Sequence, residues 1–437
     1  MTKINLKYAL YISLSVFALG ACSPKPTHKL EAATNLKKLG INEDNLYSID
    51  SLLGSALINN WIAGTTALIA KNEQVVYYKG LGFRDRDNKL LIRPTDLFRI
   101  ASMTKPIVSV AAMQLIEEGK LKLDDPVSKY IPQFQNMQVL ETFNKADTTY
   151  TTVPANKEIT IKNLLTHTSG IGYGFSNKKL GAIYKKNGIP DITVTYKLKL
   201  DSVIQKLGTL PLAVQPDSEF FYGLNTDVLG RVIEVVENKP LDSILQKKIF
   251  DPLEMKSTFF FLPAQQKSRL STLYSETKEG RLIRTPAIQN GYAIDYATSG
   301  AQTYLSGGSG LISNIDDYAK FLQMILNKGS YGGKTILKPE TVDLMSSNHT
   351  GELKVENKPN HFGLGLEITT EEGAKNGAKV GKLSWSGMFG TTFWIDPERK
   401  AIAILMTQVY PSVHKKELYN KFEALVNKAL DEAPKKK

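Results

Sequence analysis

A serine and a lysine separated by two residues, Ser102 and Lys105, have the types and spacing of a nucleophile and its base. On a helix, positions i and i+3 share a face, so the amine can lie beside the hydroxyl. A serine hydroxyl needs an adjacent base at neutral pH, and a lysine can serve only if burial or another cation lowers its pKa. The pair therefore predicts acyl transfer through a covalent intermediate on Ser102.

The spacing S-x-x-K occurs four times in the chain, beginning at Ser102, Ser176, Ser275 and Ser412. The last three lie in polar, lysine-rich surroundings that are typical of a surface. Ser102 instead precedes an apolar segment, residues 107–116, that predicts a buried helix. A helix N-terminus offers free N–H groups and a positive potential, which favour an oxyanion and disfavour a protonated lysine. We therefore select the first of the four as the reactive pair.

The hydrophobic periodicity predicts the elements that position this pair. Helices are expected over 44–60, 107–118, 161–165, 226–237, 315–327 and 412–433, and strands over 65–70, 74–79, 362–368, 390–395 and 401–408. The first two strands are expected to form a hairpin. Strands at both ends with helices between them predict an α+β fold, in which one sheet is built from both termini beside a helical middle.

The composition excludes several classes of protein. Of the 437 residues, 42% are hydrophobic and 22% are charged, which is typical of a globular protein and not of a disordered or fibrous one. One cysteine excludes a disulfide framework and a thiolate metal cluster, and five scattered histidines leave little for a zinc site. We expect neither a metal nor an organic cofactor.

The formal charge of +12 raises the question of nucleic-acid binding. However, the lysines are spread along the chain, and no basic stripe interleaved with aromatic residues is present. The charge therefore favours a solvated lysine-rich surface, and we expect no nucleic-acid partner.

The N-terminus predicts export and a lipid anchor. Two lysines precede an apolar run over 8–19, which is too short to span a bilayer and is typical of a signal peptide. The run ends in Leu19-Gly20-Ala21-Cys22, which resembles the bacterial lipobox, where the cysteine is lipidated after cleavage. The alternative is an ordinary signal peptide with an incidental cysteine. We expect a signal peptide over 1–21, a tether over 22–43 and a lipid anchor at Cys22 in the bacterial cell envelope.

Five segments together resemble the serine β-lactamase and penicillin-binding superfamily, on its class C and esterase side. They occur in the family's order: 98–137 (FRIASMTKPIVSVAAMQLIEEGKLKLDDPVSKYIPQFQNM), 160–170 (TIKNLLTHTSG), 250–259 (FDPLEMKSTF), 307–321 (GGSGLISNIDDYAKF) and 387–397 (GMFGTTFWIDP). The resemblance spans roughly 44–432. It implies a β-lactamase/transpeptidase-like α/β/α sandwich, with an antiparallel sheet, a helical lobe and a cleft between them.

The resemblance also divides the domain, residues 44–433, into two lobes. The sheet lobe is expected over about 44–95 and 355–433, and the helical lobe over about 96–354.

Tyr222 matches the tyrosine of the Tyr-x-Asn motif of class C β-lactamases. The resemblance implies that Tyr222 exchanges protons with the nucleophile and shares this work with Lys105. A phenol can act as the base only if a cation stabilises its phenolate. Leu224 occupies the position of the motif's asparagine, which departs from the β-lactamase pattern. Asn225 is expected to be the N-cap of the helix that follows.

Trp385 stands where β-lactamases and transpeptidases have the lysine of Lys-Thr-Gly on an edge strand. The version in this chain, Trp-Ser-Gly, is similar to that of the family VIII carboxylesterases. Tryptophan carries no charge for a carboxylate, but it offers an apolar face to an acyl or alcohol group. The resemblance places the two oxyanion donors on the backbone N–H groups of Ser102 and Met388. The expected substrate contacts are Leu224, Trp385, Ser386 and Gly387.

These residues predict a lipid-anchored serine hydrolase that acts on small carboxylic esters or amides. One alternative is a β-lactamase or a D-alanyl peptidase that acts on β-lactam-like substrates or on cell-wall peptides. A second is a non-catalytic envelope protein that binds peptidoglycan or a partner. His167 is expected to be a structural hydrogen-bonding residue, because the family has no base there. Arg99, beside the nucleophile, is expected either to raise the local positive potential or to lie at the surface or in a buried ion pair.

Overall fold

The computed structural model describes residues 29–289 and 292–431. The predicted signal peptide, the lipid-attachment residue Cys22 and the first part of the tether lie outside these residues. Among the described helices, none is long and apolar enough to cross a membrane.

The described α-helices are α1 Glu43–Ile58, α2 Thr104–Glu117, α3 Ile161–Thr166, α4 Lys178–Asn187, α5 Leu200–Leu207, α6 Asn225–Glu237, α7 Leu241–Leu245, α8 Ile315–Leu326, α9 Pro339–Met345 and α10 Lys415–Leu430. The strands of the N-terminal half are β1 Glu31–Ala32, β2 Gly64–Lys71, β3 Gln74–Asp85, β4 Leu90–Leu91, β5 Phe98–Arg99, β6 Gln138–Phe143 and β7 Tyr150–Pro154. Those that follow are β8 Tyr274–Glu276, β9 Leu282–Arg284, β10 Ile288–Gln289, β11 Tyr292–Ala293, β12 Ile312–Ser313, β13 Ser330–Tyr331, β14 Lys334–Thr335, β15 His361–Phe362, β16 Glu367–Ile368, β17 Leu383–Gly387, β18 Thr391–Asp396 and β19 Ala401–Thr407.

The main sheet takes its strands from both ends of the chain, as predicted. Its order is β1-β3-β2-β19-β18-β17-β16-β15, with β4 paired to β3. Strand β19 joins the halves, because it pairs with β2 on one side and with β18 on the other. The pairs are antiparallel except for β1 with β3, which is parallel.

Alternating residues of the central strands supply two hydrophobic cores, because successive side chains of a strand point to opposite faces. On β2, Leu68 and Ala70 belong to the core shared with α2 and α8. Ala67 and Ile69 belong to the core shared with α1 and α10. Helices therefore cover both faces of the sheet, and the predicted α/β/α architecture is confirmed.

Several local predictions were wrong. The segment 362–368 is not one strand but a hairpin, in which β15 and β16 are joined by a turn that holds Gly365 at a φ of 103°. Strand β17 is not at the sheet edge, because β16 pairs with its outer side. Residues 172–217, for which the periodicity predicts no helix or strand, include the helices α4 and α5.

Candidate active site

Ser102 lies in a tight turn, Ala101–Met103, that leads from β5 into α2. Ala101 has a φ of 43°, in the left-handed region that non-glycine residues rarely adopt. Such strain persists only where the surroundings hold it, and it clusters at functional sites. Here the Met103 N–H donates to the Ile100 carbonyl at 3.0 Å, and the Tyr318 hydroxyl donates to the Met103 carbonyl at 2.9 Å. The turn therefore presents Ser102 in one fixed position.

The Lys105 amine lies 3.3 Å from Ser102 Oγ, within reach of its proton. Its Nζ atom also donates to the Gly308 carbonyl oxygen at 2.8 Å and to the Tyr173 hydroxyl oxygen at 3.0 Å. A neutral amine has two N–H donors and one lone pair. In the neutral amine, both N–H donors can bond the oxygens of Gly308 and Tyr173, and the nitrogen lone pair is then available to the Ser102 hydroxyl.

Burial lowers the pKa of Lys105 to about 7. The carboxylates of Asp227 and Glu356 act in the opposite direction and favour the protonated amine. An amine with a pKa near the operating pH is both able to take a proton and able to return it. Lys105 thus has the geometry and the basicity of a general base.

The Tyr222 ring lies beside Lys105, but its oxygen does not meet the ammonium. Nζ of Lys105 lies 4.6 Å from the ring centroid. Burial raises the pKa of the Tyr222 phenol, and its interactions with the side chains of Ser102 and Trp385 only partly offset this. Among the described residues the buried hydroxyl has no hydrogen-bond partner of good geometry. A phenol in this state can donate a proton or a hydrogen bond, but it is a poor base.

Met388 follows directly after β17, where the strand passes close to the nucleophile turn. A Cβ atom on Gly387 would collide with the carbonyl oxygen of Ile100 and with Oγ1 of Thr391. Only glycine therefore allows this approach. Met388 lines the same cleft as Ser102, and among the described residues its N–H donates no hydrogen bond. This N–H is free to bind an oxyanion.

The cleft that joins these groups has a volume of about 780 Å3. Of the predicted substrate contacts, Trp385 and Ser386 line it. Gly387 lies against the nucleophile turn rather than along the cleft wall. Leu224 is fully buried in the larger hydrophobic core and does not line the cleft. The prediction that Leu224 contacts the substrate was therefore wrong.

An aromatic cluster forms much of the cleft wall. The rings of Tyr222 and Trp385 lie 5.4 Å apart, and Tyr173 contacts Tyr222 at the same distance. Phe175 stacks on Tyr173 at 4.8 Å and is half exposed at the cleft. These rings offer an apolar surface to a substrate.

Two buried residues near Lys105 were missed by the sequence predictions. Tyr173 accepts a hydrogen bond from Lys105, yet in the sequence it resembles any core aromatic residue. Asp227 is fully buried, and burial raises the pKa of its carboxyl group. Its Oδ1 atom accepts a hydrogen bond from Ser306 at 2.7 Å, close to the loop that supplies the Gly308 carbonyl. The only available signal was the position of Asp227, five residues after Tyr222.

Asn225 is not the N-cap of α6. The helix begins at this residue, and the side chain turns back to hydrogen-bond the loop before it. Its Nδ2 atom lies 3.0 Å from Nδ1 of His167, and its oxygen accepts from the Ser169 hydroxyl. Burial holds the pKa of His167 well below its ordinary value, so the imidazole is neutral. His167 is a buried hydrogen-bonding residue, as expected.

Arg99 is buried without an ion pair in the described part of the chain, so both the surface position and the buried ion pair were wrong. Its Nε atom donates to the Ile294 carbonyl at 2.6 Å, and Nη1 donates to the Ser271 carbonyl at 3.1 Å. The guanidinium therefore fastens the loops next to β5. Over residues 29–289 and 292–431, no group of three or more His, Cys, Asp or Glu side chains is arranged to hold a metal ion.

The family model named Beta-lactamase matches residues 49–428 of the chain. The chain belongs to this family. Esterase EstB of Burkholderia gladioli is 28% identical over 371 residues, which cover 82% of the chain and 89% of that protein. A putative D-alanyl-D-alanine carboxypeptidase of Escherichia coli K12 is 26% identical, with coverage of 91% and 89%.

Among solved structures, EstCE1, described as a hydrolase with promiscuous acyltransferase activity, superposes with a TM-score of 0.74. Its sequence is 26% identical, and the match covers 89% of this chain and 99% of that one. This β-lactamase-family chain is a serine hydrolase with an α+β fold.

Proposed function

We propose that this serine hydrolase cleaves carboxylic esters through an acyl-enzyme on Ser102. The observation that carries the proposal is the position of the Lys105 amine, 3.3 Å from Ser102 Oγ, with its other two contacts fixed by Gly308 and Tyr173. The tryptophan at 385 favours esters, because its uncharged indole replaces the lysine that helps to hold the carboxylate of a β-lactam in the β-lactamases. The similarity to Esterase EstB supports the same substrate class.

The proposed reaction begins when Ser102 Oγ attacks the ester carbonyl carbon and its proton passes to Lys105. The negative charge that develops on the carbonyl oxygen is held by the N–H groups of Ser102 and Met388. One strong donor of this kind contributes roughly 3–4 kcal/mol to transition-state stabilisation. The carbon–oxygen bond of the ester then breaks, and Tyr222 protonates the leaving alkoxide.

The second half reverses the proton path. A water molecule that enters the cleft relays a proton from the protonated Lys105 to Tyr222, which restores both groups. Water then attacks the acyl carbonyl, with Lys105 as its base, and Ser102 leaves with a proton. The carboxylic acid departs and the resting enzyme is regenerated. Every proton is accounted for by these three side chains and the water.

The second candidate is a β-lactamase or D-alanyl peptidase, and the similarity to the putative carboxypeptidase favours it. The two are separated by comparing kcat/KM for p-nitrophenyl butyrate with that for a chromogenic cephalosporin. We expect the ester to be preferred by a factor of about 30 to 150, because a lost charge-paired contact costs roughly 2–3 kcal/mol. Preference for the cephalosporin would overturn the ester proposal.

The third candidate is a non-catalytic binding protein. A fluorophosphonate probe reacts only with an activated serine, so it tests this candidate without knowledge of the substrate. We expect labelling of the wild-type chain at Ser102 and none of Ser102→Ala. Absence of labelling in the folded wild-type chain would favour the binding protein.

We further propose that the protein is anchored in the bacterial cell envelope by a lipid on Cys22. The support is the sequence Leu19-Gly20-Ala21-Cys22 at the end of a short apolar run. Metabolic labelling with a fatty acid and fractionation of cells would test it. We expect label and membrane association in the wild type and loss of both in Cys22→Ala. Membrane association that survives in the variant would contradict the proposal.

A further inference from the structure

Lys415 is a cation beside Met388 that the proposed reaction does not use. It is the first residue of α10, and its Nζ atom donates to the Gly387 carbonyl oxygen at 2.9 Å. The side chain is partly exposed and lines the same cleft as Ser102. The surface position predicted for the S-x-x-K match at Ser412 is therefore wrong, because the start of α10 is turned toward the end of β17.

The Gly387 carbonyl and the Met388 N–H belong to one peptide group. Resonance across the C–N bond couples its two ends. A cation at the oxygen therefore draws electron density from the nitrogen and makes the N–H a stronger donor. The N–H of Gly390 donates to the same oxygen at 3.2 Å, so two donors hold the peptide group in one orientation.

The ammonium of Lys415 has no carboxylate partner within ion-pair distance among the described residues. Two other lysines that line the cleft do have one, since Lys358 pairs with Glu367 and Lys382 pairs with Glu423. The charge of Lys415 is thus not neutralised by contact. Its nearest strong acceptor is the Gly387 carbonyl.

The surroundings of Lys415 set its titration. Burial lowers its pKa to about 8, and Glu356 acts in the opposite direction at longer range. The ring of Tyr419, on the same helix, lies with its centroid 5.5 Å from Nζ. His414, the residue before it, contacts Glu276, and Lys416 after it is exposed. At neutral pH Lys415 is therefore mainly charged, and it loses its proton as the pH rises through about 8.

We infer that Lys415 is a positioning residue of the oxyanion hole and acts through the Gly387–Met388 peptide group. Its ammonium strengthens and orients the Met388 N–H toward the oxyanion that forms when Ser102 attacks. Lys415 itself contacts neither the reacting atoms nor the leaving group. The inference rests on the proposed function, because the oxyanion forms only in that reaction.

The test compares Lys415→Met with Lys416→Met, a control that removes the same charge from an exposed neighbour. With the full chain in detergent and p-nitrophenyl butyrate as a neutral ester, we expect Lys415→Met to lower kcat about tenfold. This is less than the 100-fold or greater loss that follows removal of a whole oxyanion donor. KM should change less than about twofold, and Lys416→Met should match the wild type.

The pH dependence of kcat separates this role from a structural one, because a purely structural loss would lower kcat without changing its dependence on pH. We expect wild-type kcat to fall above about pH 8, and this fall to be absent from Lys415→Met. Lys415→Arg, which stays charged, should keep most of kcat and move the fall to higher pH. If Lys415→Met does not fold, the shifted profile of Lys415→Arg still decides the question.

Three results would overturn the inference. The first is an unchanged kcat in a folded Lys415→Met, and the second is an unchanged fall above pH 8 in that variant. The third is a rise in KM confined to an ester with a carboxylate on its alcohol side, which would make Lys415 a carboxylate anchor. These results require an active wild type, so they contradict only this inference. A wild type without Ser102-dependent turnover would overturn the proposed function and this inference together.

Discussion

The amine of Lys105 lies over the ring face of Tyr222, 4.6 Å from the ring centroid, and does not contact the phenol oxygen. A cation in this position is attracted to the ring but does not directly stabilise a phenolate. Burial raises the pKa of the Tyr222 phenol and lowers that of Lys105 to about 7. The two environments therefore favour a division of roles in the proposed mechanism, with Lys105 as the base and Tyr222 as the acid.

Replacing Tyr222 by Phe should affect esters according to their leaving group. An alkoxide needs a proton to depart, whereas p-nitrophenolate leaves without one. We expect Tyr222→Phe to lower kcat about 100-fold or more for ethyl butyrate, in line with the usual contribution of a general acid. The loss for p-nitrophenyl butyrate should be much smaller, and steady-state kinetics on both esters measure the difference.

Tyr173→Phe is the matched control, since it also removes one phenol oxygen next to Lys105. Its oxygen orients the base, so its loss should lower the rates on both esters by the same factor. Equal losses on the two esters in Tyr222→Phe would instead assign Tyr222 to the attack step, and the division of roles would be wrong.

The activity should rise with pH through about 7. Lys105 accepts a proton only when it is neutral, and its pKa is about 7, so below this pH the base is already protonated. The carboxylate of Asp227 raises the pKa of Lys105. Asp227→Asn should therefore move the acidic limb of kcat/KM to lower pH, by about one pH unit or less.

The control for this prediction is Asp343→Asn, which removes an exposed carboxylate that pairs with the surface residue Lys328. It should leave the limb in place. If the acidic limb of kcat/KM moves to higher pH in Asp227→Asn, or does not move, a group other than Lys105 is responsible for that limb.

The glycine at 387 should not tolerate a methyl group. A Cβ atom there would collide with the Ile100 carbonyl beneath the nucleophile turn, so Gly387→Ala must displace either β17 or Ser102. We expect a loss of about 1–3 kcal/mol in the free energy of unfolding, measured with urea, and a large loss of kcat.

Gly54→Ala is the comparison for Gly387→Ala. Gly54 lies within α1, and a Cβ atom there would have nothing within 4 Å. Its replacement should stabilise the protein by about 0.5–1 kcal/mol, because alanine is the better helix former. If Gly387→Ala is as stable and as active as Gly54→Ala, the close approach of β17 to the nucleophile turn is not required.

The sequence was sufficient to predict the parts of the site that local motifs encode. Ser102 and Lys105 share one helical turn, so their spacing indicates the pair. Trp385 and Met388 lie at the end of β17 and were assigned from the family resemblance. The strands β2 and β19 were also predictable, because each is a local apolar run that is buried along almost its whole length. The two-sided sheet itself was implied by the family resemblance.

The rest depended on contacts between distant segments, which spacing does not reveal. Lys415 is 28 residues from Gly387, whose carbonyl it meets, and Tyr173 is 68 residues from Lys105. Leu224 was assigned from a motif whose asparagine position is altered here, and Asn225 was assigned from the preference of asparagine for N-caps. In the structure the first is buried in the core, and the second bonds the loop that holds His167.

The central claim is that Ser102 carries the acyl group, and trapping that intermediate tests it most directly. The full chain is mixed with p-nitrophenyl butyrate and quenched in acid, and its peptides are analysed by mass spectrometry. We predict one butyryl group on the peptide that contains Ser102, none in Ser102→Ala, and a loss of kcat of about 10,000-fold or more in that variant. Turnover that persists in Ser102→Ala, or an acyl group on another residue, would contradict the account.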